Sequence, residues 1–90
     1  MFVSVVCDFG NDDHRSAVHQ LLIQYGFKNI FNNVYESASI KDNSLLRLKR
    51  DIDRATDSYD KIRFYQYPME DTFVITYLYG KRWRKIIVKK

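Results

Sequence analysis

Ninety residues, 46% hydrophobic and 16% aromatic with a single proline, suffice for one packed domain and exclude a second domain and a disordered or collagenous chain. No apolar run approaches the roughly 18 residues of a membrane span, and the lone Cys7, with no cysteine or histidine pair beside it, excludes an internal disulfide and a structural zinc site. The net charge of +4 sits at one end: residues 81–90 carry Lys81, Arg82, Arg84, Lys85, Lys89 and Lys90 and no acid, leaving nine basic against eleven acidic side chains elsewhere.

In chain order, Phe2 to Asp8 is a β-branched run without full alternation, which predicts a strand buried on both faces and central in its sheet. This apolar start lacks a basic region and a small-residue cleavage site, so a cytoplasmic protein is expected. Cys7 within it reads as a buried, inert thiol. Gly10 and Asn11 then turn the chain, Asn11 or Asp12 can cap a helix, and Asp12 and Asp13 suit its first turn. Val18, Leu21, Leu22 and Tyr25 form one apolar stripe and Gly26 supplies a left-handed terminator, so the helix is expected over residues 12–25.

Residues 27–31 and 34–38 read as two strands around a tight Asn32-Asn33 turn. Polar residues between Ser39 and Ser44 offer a second helix cap. Leu45, Leu48, Ile52 and Ala55 follow at helical spacing, with Arg47/Asp51 and Lys49/Asp53 as i, i+4 pairs. Residues 60–67 alternate up to Pro68 as a half-buried strand, and residues 72–79 and 84–88 read as two more strands joined around Gly80-Lys81.

The order β-α-β-β-α-β predicts a single α+β domain over residues 1–90 on the ferredoxin-like plan, its antiparallel sheet ordered 4-1-3-2 with both helices on one face. Residues 72–90 are surplus to that plan, and the second sheet face stays bare. A bare apolar face of that size is unusual for a soluble monomer, so a two-fold homodimer, sheet against sheet with exchanged C-terminal strands, is expected.

Few residues offer chemistry. Asp8 projects from the rim of a central strand. Two copies meeting across a two-fold axis would repel unless a divalent cation lay between them, and magnesium suits such a site; a turn residue accepting backbone N–H bonds is an equal reading. Arg15 can reach a phosphate near Asp8 or pair with Asp12. His14 and His19 are five apart, not at the i, i+4 spacing of a metal pair, and receive no role. No nucleophile elbow, glycine-rich phosphate loop or Cys/His pair is present, so ordinary hydrolase chemistry and an organic cofactor are not expected. The basic segment suits a polyanion, and a solvated edge strand guarded by lysines accounts for it equally well. Tyr79 and Trp83 interleave with it and can stack on bases or pack in the core.

Taken together, the strand ending in Asp8, the polar turn, Arg15 in a helix ending at Tyr25-Gly26, Val34-Tyr35-Glu36, and the Asp60-Lys-Ile-Arg63-Phe-Tyr strand resemble the CRISPR-associated Cas-two family over most of the chain. The resemblance implies a ferredoxin-like homodimer that bridges two dimers of a Cas-one-type integrase along duplex DNA. It also implies a metal at paired aspartates and a nuclease activity claimed for some members and denied for others. Asp8 matches the family's acidic position, Arg15 a basic helix position and Tyr35 the aromatic of the third strand. Cys7, Ala17 and Asn29 depart from the family's tyrosine and two arginines, and Phe31-Asn32-Asn33 from its Gln-Tyr-Ser; this weakens catalysis and leaves backbone binding intact. A dimeric DNA-binding adaptor of spacer acquisition is therefore the first expectation, with Lys81, Arg82, Arg84 and Lys85 carrying DNA and Arg15 assisting. A magnesium-dependent endonuclease, of RNA or DNA, using Asp8 is the second, and a stand-alone ribonuclease toxin the third.

Overall fold

The computed structural model describes residues 1–89, with the backbone alone at Met69, so Lys90 of the basic segment lies outside the described residues. The elements are β1 (Phe2–Asp8), α1 (Asp12–Gln24), β2 (Lys28–Phe31), β3 (Val34–Ser37), α2 (Asp42–Ala55), β4 (Lys61–Met69), β5 (Thr72–Tyr79) and β6 (Arg82–Lys89). They form one antiparallel sheet ordered β2-β3-β1-β4-β5-β6. The expected 4-1-3-2 order is embedded in it. Within the chain, β5 pairs with β4 and β6 with β5, so the surplus residues extend the chain's own sheet.

The core lies between one sheet face and the helices. Val3, Val5 and Cys7 of β1 align with Gln66, Phe64 and Ile62 of β4, and this face packs on Val18 and Leu22 of α1 and Leu45, Leu48 and Ile52 of α2. The expectation that β1 is buried on both faces is incorrect. Val3 and Val5 are fully buried, whereas Phe2 and Val6 are 36% and 39% exposed. The strand is central as expected, but its second face has nothing from this chain over it. Burial pushes the Cys7 thiol up to about 12, which fits the inert role.

Local chemistry explains most boundaries. Asn11 caps α1 by accepting the His14 N–H at 2.8 Å. Gly26, at φ 90°, reverses the chain so that the N–H groups of Gly26 and Phe27 bond to Ile23 and Leu22 carbonyls, both at 3.0 Å. Asn33 takes φ 60° in the β2–β3 turn, as asparagine can.

The second cap differs from expectation. Lys41 stands at the N-cap of α2 without a side-chain bond, because paired backbone bonds between Met1 and Ile40 fix the entry and Ser44 falls inside the helix. The two i, i+4 pairs also do not form. Asp51 accepts from the Tyr25 hydroxyl at 2.8 Å, Lys49 turns inward to Gln66, and Asp53 pairs with Lys81. β4 continues through Pro68, where the ladder with β5 shifts register between Gln66 and Met69; proline, which has no N–H to give, is tolerated at such an irregularity. No helix among the described residues is long and apolar enough to cross a membrane.

Candidate nucleic-acid interface

Asp8 is the last residue of β1 and lies on the open face, opposite Lys61 of β4. Beside it, α1 and the β2–β3 hairpin enclose a cleft of about 560 Å³, whose lining includes Asp8, Arg15, His19, Asn29, Asn33 and Tyr35. The structure thus brings Tyr35 together with Asp8 and Arg15, which precede it by 27 and 20 residues. Arg15 pairs with Asp12 on the exposed surface, one of its two expected partners, and a solvated pair of this kind holds an arginine only loosely.

His19, given no role from the sequence, enters the same cleft. Its Nδ1 is 2.7 Å from the Tyr35 hydroxyl, and the two rings meet edge to face at 5.6 Å. Tyr35 is otherwise buried, and burial raises its phenol above the ordinary value. The cleft therefore offers a carboxylate, a guanidinium, an imidazole and amide side chains around one opening. Asp8 is the one carboxylate in its lining, and among the described residues no group of three or more His, Cys, Asp or Glu is placed to hold a metal ion. The donor set of a single chain thus does not by itself fit a divalent cation, which needs several oxygen ligands.

The turn that follows Asp8 is held from below by Asp60, which is 1% exposed. Its Oδ1 accepts the Gly10 N–H at 2.8 Å, and its Oδ2 accepts the Asp57 N–H at 2.8 Å and His14 Nδ1–H at 2.7 Å. Tyr59 stacks on His14 at 5.7 Å and packs over Gly10 so closely that a Cβ there would lie 2.0 Å from its ring. Any larger residue at this position would have to push the exposed Tyr59 ring off His14. Neither histidine partner was predictable from local spacing.

The open face is rich in aromatic rings. Phe2, Tyr67, Phe73 and Tyr65 form a chain of stacked and tilted rings with centres 5.7, 4.7 and 6.0 Å apart. The Arg63 guanidinium lies 5.7 Å from the Tyr65 ring and 5.3 Å from the Tyr77 ring, with its Nε buried and unbonded.

The basic segment is divided by strand alternation. Arg82 and Arg84 align with Tyr79 and Tyr77 on the open face, whereas Lys85 aligns with the buried Thr76 on the helix face. Lys81 pairs with Asp53 and donates to the carbonyls of Asp53 and, at 3.1 Å, Thr56. It thus serves the C-terminus of α2, where a cation meets the free carbonyls and the negative end of the helix dipole. Trp83, half-buried, packs against Phe64 at 5.9 Å and also borders the open space between α2 and β6.

No curated protein and no solved structure matches the chain. The family model for CRISPR associated protein Cas2 matches residues 1–75, which takes in the βαββαβ unit, Asp8, the cleft and the Asp60 buttress, and stops within β5. With five sixths of its length so matched and the expected strand order in place, the chain belongs to the CRISPR associated protein Cas2 family.

Proposed function

We propose that this chain is a homodimeric, nucleic-acid-binding adaptor of CRISPR spacer acquisition, scaffolding duplex DNA for a Cas-one-type integrase in the cytoplasm. The observation that carries the reading is the bare sheet face, where Phe2, Val6, Tyr67, Ile86 and Val88 are each more than a third exposed on β1, β4 and β6, with β5 lying between the last two. Apolar and aromatic side chains gathered on a face without a covering layer support association through it. Exchange of residues 72–90 between copies is part of the proposal, since β5 and β6 are the elements beyond the ferredoxin-like unit. Arg82, Arg84, Lys85 and Arg15 are exposed cations suited to phosphates, and Lys81 contributes by fixing the start of β6.

The test is light scattering on the chain alone, then binding of a duplex with splayed ends with and without a co-encoded integrase. A dimer that binds the duplex and is retained by the integrase is expected. A monomer at tens of micromolar would sink the scaffold reading.

The Asp8 cleft favours a second reading, a magnesium-dependent endonuclease of RNA or DNA. A single chain supplies one carboxylate, so a magnesium ion would rely on the Asp8 of a second copy and on water. Cleavage that is lost in Asp8→Asn and in chelator would favour this reading. Equal cleavage by both proteins would remove it.

A further inference from the structure

On the helix side of the sheet, α2 and the β5–β6 hairpin enclose another cleft, of about 530 Å³, lined in part by Leu46, Lys49, Arg50, Asp53, Trp83 and Lys85. It shares no lining residue with the Asp8 cleft. Lys49 turns into the protein here. Its ammonium donates to Gln66 Oε1 at 2.8 Å and lies 5.4 and 5.7 Å from the ring centres of Phe64 and Trp83. Gln66 Oε1 is already shared, accepting from the Thr76 hydroxyl at 2.7 Å.

No carboxylate among the described residues pairs with Lys49. Asp53, one turn further along α2, is taken by Lys81. Burial, and then the like charge of Lys85, push Lys49 down to about 8. A half-buried cation is costly without a counter-charge, and here a second lysine and Arg50 add to the excess. Asp53, the one carboxylate in the lining, is paired with Lys81, so cations outnumber anions around the opening, and Leu46 and the Trp83 indole add apolar wall.

We infer that this cleft binds a nucleotide phosphate, with Lys49, Arg50 and Lys85 on the phosphate oxygens and the Trp83 indole beside the base. Phosphate suits the group better than a carboxylate because three oxygens can take up converging cationic donors, and the guanidinium fork matches two of them. A free nucleotide and the terminal phosphate of a nucleic-acid strand share this chemistry. The site goes beyond the scaffold reading, since it recognises one phosphate group and not a duplex backbone.

Trp83 is the only tryptophan in the chain, so its fluorescence reports this cleft alone. The full chain is titrated with adenosine monophosphate, with short oligothymidine strands bearing either a 5′-phosphate or a 5′-hydroxyl, and with oligoglutamate. A saturable change with the mononucleotide or with the 5′-phosphorylated strand is expected, weakened about tenfold in Lys49→Met and in Lys85→Gln, the loss of one charge-assisted hydrogen bond. A response to the mononucleotide assigns a free-nucleotide site; a response confined to the phosphorylated strand assigns a strand end. Lys85 is exposed, so its variant reads the site even if Lys49→Met disturbs packing. Light scattering on both variants separates this site from the dimer. No saturable response to either phosphate probe, equal affinity for phosphorylated and hydroxyl strands, a response to oligoglutamate alone, or unchanged affinity in Lys85→Gln would each overturn the inference.

Discussion

Replacing Asp60 with alanine should destabilise the domain more than any other single change at a charged residue. The carboxylate is 1% exposed and accepts three hydrogen bonds, from Gly10, Asp57 and His14, at 2.7–2.8 Å. Asp60→Ala strands both backbone donors and the imidazole at about 1–3 kcal/mol each in a buried setting. Gly10 and Asp57 are themselves exposed, so water recovers part of the loss and the total falls to about 2–4 kcal/mol. For a domain of this size, each kcal/mol shifts Tm by about 4–8 °C, so a fall of about 8–32 °C is expected. Thermal unfolding followed by circular dichroism at neutral pH measures it, with Asp57→Ala as the exposed control. An Asp60→Ala protein melting within about 3 °C of the parent would refute the claim that three bonds to one buried carboxylate hold the Asp8 turn.

The same residue has a pH signature. Burial alone would raise the Asp60 pKa, but the hydrogen bonds from Gly10, Asp57 and His14 outweigh it and hold the carboxyl below the usual range. A depressed folded pKa contributes stability that is complete above the unfolded value of about 3.9 and is lost as pH falls through the folded value. The Tm gap between the parent and Asp60→Asn should therefore be fully open at about pH 5 and close below about pH 4.

Val6→Lys places a charge on the open face, where Val6 is 39% exposed, and should leave the fold intact while shifting light scattering towards monomer. Salt titration on two unrelated duplexes should give equal affinities, with Arg82/Arg84/Lys85→Ala flattening the slope by about 0.9 for each phosphate no longer neutralised. Lys81→Ala should instead leave that slope nearly unchanged and lower Tm by a few degrees, because Lys81 is engaged by Asp53 and the end of α2. Lys49, held at about 8 when folded and about 10.4 when unfolded, is more protonated in the unfolded chain between those values, so the parent should lose stability relative to Lys49→Met as pH falls across that window.

Periodicity made the element order and most of the core legible. Val18, Leu22, Leu45, Leu48 and Ile52 stand at helical spacing and are all buried. β1 misled because Val6 and Phe2 are as apolar as Val3 and Val5. Hydrophobicity reports that a side chain avoids water, and cannot distinguish a face covered by the chain's own helices from one that is left bare. The ligands of the turn were illegible for a different reason. His14 meets Asp60 across 46 residues and His19 meets Tyr35 across 16, and no local pattern carries such pairings. The division of the basic segment was partly legible, since a strand sends Arg84 and Lys85 to opposite faces. That Lys81 would be consumed by Asp53, 28 residues away, was not.

Asp8 and the aromatic stripe occupy the same sheet face, and this makes the two readings of the protein interdependent. Asp8 aligns with Lys61, Val6 with Arg63 and Ser4 with Tyr65, so the carboxylate stands at one end of the surface that association would cover. Arg63, with its Nε buried and unbonded between Tyr65 and Tyr77, lies one pair further in. A buried donor without an acceptor is costly, and an acceptor from a second chain would relieve it. On the proposed reading, any magnesium chemistry at Asp8 would depend on the same association as the scaffold, because one chain brings one carboxylate to the cleft. A monomeric Val6→Lys protein should lose all Asp8-dependent cleavage. Were it to remain monomeric and cut as fast as the parent, the single-chain cleft with Arg15, His19 and Tyr35 would have to be sufficient, and the paired-aspartate site would be abandoned.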